Sequence, residues 1–184
     1  MILENLRGQE YDIHIAPFIK NGIVIDACVV FELIDGVIST RFSGTKLNEL
    51  SDYQQILALL EIIKVKNDWS KFYITPHVLT EVFRYLRDKY RKRFNYKDIV
   101  KEIFPIFETM GDLPINKSDF LKKIDMNNPV IEAGDISIFV TADGFLGKKQ
   151  KVAILTIDNG IKTRYAIEPC VLVLDYKNLA LNYL

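Results

Sequence analysis

The segment 22–31, GIVIDACVVF, constrains the fold more than any other stretch of the chain. Ile23, Val24 and Ile25 form a short apolar run of β-branched residues, the pattern of a strand buried on both faces. Asp26 ends the run. From Ala27 onward the apolar positions Ala27, Val30, Phe31 and Ile34 follow a helical period. A carboxylate therefore stands where a buried strand becomes a helix, the edge at which open α/β sheets bind ligands. Asp is also a preferred helix N-cap, and capping alone would account for Asp26.

The rest of the chain repeats this alternation. The spacing predicts a helix from Ala27 to about Ile34, a Gly-containing polar loop through Gly44, and a long helix over 47–66. A second strand is expected over 69–75. Thr75-Pro76 then starts a helix to about Tyr90, with Thr as cap and Pro at the first helical position. That helix is expected to bury Val78, Leu79, Val82, Phe83 and Leu86. Another helix should span 96–110. A brief strand at 113–116 would be confined to a sheet edge by Pro114. A short helix over 118–124 ends in the turn Asn127-Asn128-Pro129. The segment 134–146 is apolar nearly all round, as in a buried helix. Strands at 152–157 and 170–174 complete the series, with Asp158-Asn159-Gly160 between them. Strands separated by helices predict an α/β fold, a three-layer α/β/α sandwich with a mainly parallel sheet of about five strands. No linker or repeat divides the 184 residues, so a single domain is expected, its core at about 22–175 preceded by an extension, 1–21.

The 24 basic residues equal the 24 acidic ones, so any nucleic-acid partner must be held by a local patch. Two cysteines, Cys28 and Cys170, argue against a disulfide scaffold and for a reducing compartment. No run of apolar residues is long enough to span a membrane, and the expected location is cytoplasmic.

Four carboxylates fall where such a sheet would gather them. Asp26 follows the first strand, Glu81 lies in the helix after the second, Asp135 opens a buried helix, and Asp158 ends the strand VAILTI. Each has a plainer explanation. Asp158 suits a turn, and Asp135 complements a helix dipole. Glu81, on its own wheel, points away from Val78, Val82 and Leu86 toward solvent. Together they are more specific, because clustered carboxylates repel by about 4 kcal/mol per pair at 4 Å unless protons or a cation intervene. With no histidine or cysteine at the matching places, the expected ion is hard, Mg²⁺ or Mn²⁺.

The segments IVIDACVV, TPHVLTEVFRYL, GDISIFVTA and AILTID, in this order, resemble the motifs of the PIN-domain ribonucleases, a family that includes toxins of toxin–antitoxin pairs. The resemblance implies a PIN-like fold with Asp26, Glu81, Asp135 and Asp158 as catalytic and metal-holding residues. Thr156 matches the threonine of the final motif and is placed among the substrate-side residues. It further implies hydrolysis of RNA leaving 5′-phosphate and 3′-hydroxyl ends. An antitoxin protein and a second copy of the chain are the protein partners it admits. Cys28 stands where the family commonly has Asn or Ser, and the chain is longer than the small toxins. Glu132 and Asp143 are spare acids near the third motif.

The stretch 84–94, RYLRDKYRKRF, supplies cations for phosphates and rings for bases, as single-stranded nucleic acid requires. Arg84, Arg87, Arg91 and Arg93 are its candidate RNA contacts, and a solvated helix end is the plain alternative. His14 and His77 read as core or surface residues, and Trp69 as core. The functional expectation is a metal-dependent endoribonuclease, with a catalytically weak RNA-binding or regulatory module as the rival. Haloacid-dehalogenase phosphatases need a second Asp where Cys28 stands, and receiver domains need paired acids where Ile25-Asp26 offers one.

Overall fold

The computed structural model describes residues 2–4, 10–12, 15–124 and 132–180. His14 and the turn expected at 127–129 lie outside them. The chain opens with strands β1 (Ile2–Glu4) and β2 (Glu10–Asp12), an antiparallel pair, and a short helix α1 (Ala16–Ile19). Then follow β3 (Ile23–Ile25), α2 (Ala27–Phe42), α3 (Ser51–Ile62), β4 (Phe72–Tyr73) and α4 (Pro76–Tyr90). After these come α5 (Tyr96–Thr109), α6 (Lys117–Lys122) and α7 (Ala133–Gly147). β5 (Val152–Leu155), α8 (Asn159–Tyr165), β6 (Val171–Leu174) and α9 (Tyr176–Ala180) close the chain.

The main sheet is parallel and four-stranded, in the order β4-β3-β5-β6. β3 and β5 are central and every residue in them is fully buried, which is why both read as unbroken apolar runs. The expected fifth strand at 113–116 does not form. Its place is taken by one bridge, in which Gly111 donates to Phe72 O at 2.9 Å and accepts from Ile74 N at 3.0 Å. Pro114, with no N–H to give, cannot extend that ladder. The strand expected over 69–75 is likewise only two residues long, because Trp69–Lys71 winds into a 3-10 turn. Trp69 is half-buried.

The first helix runs eight residues beyond Ile34, through Gly36, to Phe42. Gly36 sits at a helix crossing and does not end the helix: a Cβ there would lie 2.0 Å from the Tyr53 ring, so its absence lets α3 close on α2. The chain first turns out of the helix at Gly44, where φ is +67°. The helix expected over 47–66 is shorter. A 3-10 turn at Leu47–Glu49 precedes it, and Lys64, with φ of 61°, ends it.

α4 begins at the expected place. The Thr75 hydroxyl accepts from Val78 N at 3.2 Å, the N-cap bond that the Thr-Pro pair suggests. Val78, Val82 and Leu86 are buried, whereas Phe83, expected in the core, is 39% exposed. It packs sideways on Phe104 and Phe107 of α5. α7 is buried along most of its length and packs against β3, β5 and α4. No helix among the described residues is long and apolar enough to cross a membrane.

Candidate functional site

Helices α2, α4, α7 and α8 all begin at the carboxyl edge of the sheet, so their positive dipole ends face that edge. Asp26 and Asp158 stand at the N-caps of α2 and α8 and Asp135 in the first turn of α7, while Glu81 lies in the second turn of α4.

Asp26 is fixed first by the backbone. Its N–H donates to Leu155 O at 3.1 Å, carrying the β3–β5 ladder one residue past the strand. Its side chain makes no capping bond to α2, so capping does not explain this residue. The carboxylate, 6% exposed, takes two donors on one oxygen. The Thr156 hydroxyl donates to Oδ2 at 2.6 Å, and the Cys28 thiol donates to the same atom at 3.0 Å. Cys28 thus supplies a hydrogen to Asp26 from the position where Asn or Ser was expected. Burial, and then the Asp26 charge, push its thiol up to about 12.

Thr156, expected on the substrate side, is fully buried. Its hydroxyl donates to Asp26 and accepts from Asp158 N at 2.9 Å, tying two acids of the site together. Asp158 caps α8, Oδ1 accepting from Ile161 N at 2.8 Å, so a helix begins where a turn was expected. The cap occupies one oxygen.

Glu81 contradicts its helical wheel. It is half-buried, and Oε1 accepts from Gly134 N at 3.1 Å. The partner belongs to α7, which a wheel of α4 cannot register. A Cβ on Gly134 would lie 2.8 Å from that oxygen, so this glycine gives the carboxylate its seat. A buried chain of hydroxyls holds the two helix starts in register. Ser137 donates to Gly134 O at 2.5 Å, and the Thr75 hydroxyl lies 2.6 Å from Ser137 Oγ. Because the Ser137 hydrogen is committed to the carbonyl, Thr75 is the donor in the second bond.

Asp135, in the first turn of α7, is where the charges accumulate. Burial and then the fields of Asp26, Asp158, Glu132 and Glu81 raise its carboxyl from 3.8 to about 7. Burial likewise raises Glu81, with Asp26 and Glu132 adding to it, while the Gly134 N–H and Arg84 pull the other way. The structure therefore brings Asp26, Glu81, Asp135 and Asp158 within electrostatic reach at one edge. It adds Glu132, which sequence reasoning set aside as a spare acid. The signal was its place three residues before Asp135, at the mouth of the same helix. Asp143 is not part of the group: it is held by Lys123, Arg164 and the Tyr165 hydroxyl.

Asp26 Oδ1, Glu81 Oε2, Asp158 Oδ2 and both oxygens of Asp135 accept no hydrogen bond from any described group. Such a set of oxygens has the chemistry of a hard divalent cation site. Yet no group of three or more His, Cys, Asp or Glu side chains among the described residues is placed to hold a metal ion.

No family model and no curated protein matches the chain. Among solved structures, the crystal structure of PAE2754 from Pyrobaculum aerophilum is similar. The TM-score is 0.50 at 12% identity, over 87% of this chain and 94% of that one. The likeness is one of fold.

The basic stretch divides into two parts. Tyr85, Lys89 and Tyr90 all donate to the Asp35 carboxylate, and Phe31 stacks on Tyr85 at 4.2 Å. These rings join α4 to α2 and do not lie open to bases. Arg84, Arg87, Arg91 and Arg93 are exposed. Arg87 pairs with its neighbour Asp88, and Arg93 lies 4.8 Å over the Tyr90 ring. Phe94, beside them, is fully exposed. His77 is half-buried and stacks on Phe120 at 4.6 Å.

Proposed function

We propose that the chain is a metal-dependent endoribonuclease built on a PIN-like three-layer sandwich. One observation carries the reading: four carboxylates from separate elements share one sheet edge, each keeping an oxygen that no donor among the described residues engages. Asp26, Glu81, Asp135 and Asp158 would hold Mg²⁺ or Mn²⁺, which supplies Lewis acidity toward water and the phosphodiester.

The remaining work belongs to the chain. Thr156 and Cys28 hold Asp26 by Oδ2, leaving Oδ1 outward of those bonds. The Gly134 N–H holds Glu81, and the α8 start holds Asp158. Arg84 lies one helical turn from Glu81, and Arg87, Arg91 and Arg93 follow on α4 and just beyond it. They offer phosphate contacts leading away from the acids, so a strand of RNA would be held along α4 with one phosphodiester at the site. Hydrolysis there yields 5′-phosphate and 3′-hydroxyl ends, and the toxin role, with an antitoxin partner, belongs to the same reading.

One observation favours the rival, a catalytically weak RNA-binding module: the placement of the acids does not by itself close on an ion. Mixed RNA incubated with Mg²⁺ or Mn²⁺ separates the two. The nuclease reading expects cleavage that EDTA abolishes and Asp26→Asn reduces by roughly a hundredfold or more, the scale of losing a charge-stabilising group. RNA bound without cation-dependent cleavage supports the module instead.

A further inference from the structure

A second cavity, of about 540 Å³, lies at the sheet edge opposite the acids. That volume is in the range of small-molecule sites. Lys20 and Asn21 on its rim lead into β3, while Lys148 and Gln150 lead into β5. α7 joins the two places, with Asp135 in its first turn and Lys148 just past its end, roughly 20 Å apart along the axis.

The walls are apolar and aromatic, formed by Tyr73, Leu113, Pro114, Val140 and Phe145. The lining contains two lysines and no acid. Thr141, on the same wall, is 6% exposed, and its hydroxyl has no hydrogen-bond partner among the described residues. Gly144 also faces open space: a Cβ there would meet nothing within 4 Å. Packing does not require glycine at this position, and glycine inside a helix is destabilising relative to alanine. Its effect here is to keep the cavity open.

We propose that this cavity binds a small aromatic acid. Its flat ring system lies against Tyr73, Val140 and Phe145, and its single anionic group, whether phosphate, sulfonate or carboxylate, is met by Lys20 and Lys148. The site is separate from the acidic cluster, and its test reads no cleavage, so it stands or falls independently of the nuclease.

The probe is 8-anilinonaphthalene-1-sulfonate, titrated by fluorescence beside N-phenyl-1-naphthylamine, which has the same rings and no charge. The full chain should bind the sulfonate at one saturable site. Gly144→Leu, whose Cβ meets no neighbour within 4 Å and whose side chain extends into the space, should weaken both dyes roughly tenfold. Lys148→Met should weaken the sulfonate roughly fivefold, the scale of one exposed ion pair, and leave the neutral dye unchanged. Lys20→Met should behave like Lys148→Met, and this pair decides the matter should Gly144→Leu fail to fold by circular dichroism. No saturable binding by the wild-type chain overturns the proposal. So does undiminished sulfonate binding in these variants, which places the dye outside this cavity; another cavity, of about 430 Å³, is lined in part by Leu33, Leu57 and Phe107. Weakened binding in Gly144→Leu without any weakening in the lysine variants overturns the preference for an acid.

Discussion

The Thr156 hydroxyl is the smallest group on which the site depends, because one oxygen serves two acids. Thr156→Val keeps the shape and removes both bonds, leaving a buried Asp26 oxygen and the Asp158 N–H short of a partner. It should cost about 1–3 kcal/mol of stability, read as a lowered urea midpoint. A midpoint equal to wild type would mean that the hydroxyl holds neither acid. Cys28→Ser, which retains a donor, should be milder than Cys28→Ala. Asp135 contributes to the pH behaviour of the metal-free protein. Its folded-state pKa of about 7 lies above the ordinary 3.8, so the native state holds this proton more tightly than the unfolded chain does. The group's contribution is therefore greatest below about pH 4 and is lost as pH rises toward 7. In EDTA, Asp135→Asn should match wild type in melting temperature near pH 4 and exceed it at pH 8. A constant difference across that range would show Asp135 to be an ordinary exposed acid.

At the scale of elements, two glycines inside helices hold opposite meanings: Gly144 faces open space, whereas Gly36 lies against a ring. Gly36→Ala should lose about 1–3 kcal/mol, although alanine is the better helix former, because the Tyr53 ring occupies the space. A chemical denaturation curve equal to or better than wild type would contradict the packing of α3 on α2. The same geometry explains what could be read in advance and what could not. Asp26, Asp135 and Asp158 were legible because each directly follows a buried strand or opens a helix, where local pattern fixes position. Glu81 was read as solvated because its hydrogen bond comes from Gly134, 53 residues away on another helix. Gly36 looked like a loop residue because composition cannot distinguish a terminating glycine from one that admits a neighbour. Tyr85 and Tyr90 looked available for bases because their partner, Asp35, lies on a different element. The arginines of α4 and its end remain exposed. Changing Arg84, Arg87, Arg91 and Arg93 to glutamine should weaken RNA binding and flatten its salt dependence, by about 0.7 in log–log slope for each phosphate no longer neutralised. An unaltered slope would leave this face merely solvated.

For the whole molecule, the parallel sheet arranges opposite chemistries at its two edges. Helix starts and carboxylates gather at one edge, and a lysine-rimmed cavity lies at the other. The alternation of buried strand and helix made the α/β class legible, and the unbroken apolar run marked β3 as a buried strand. The strand count was not, since β4 is two residues long and 113–116 reaches the sheet only through Gly111. The central claim is that the acidic edge is a cation site. A cation that binds only the folded state raises its melting temperature by mass action. Thermal melts of wild type and Asp135→Asn, each in EDTA and in Mn²⁺, test this most directly. The account predicts a clear Mn²⁺-induced rise in wild type and a much smaller one in Asp135→Asn. No rise in wild type, or the same rise in both proteins, would contradict it.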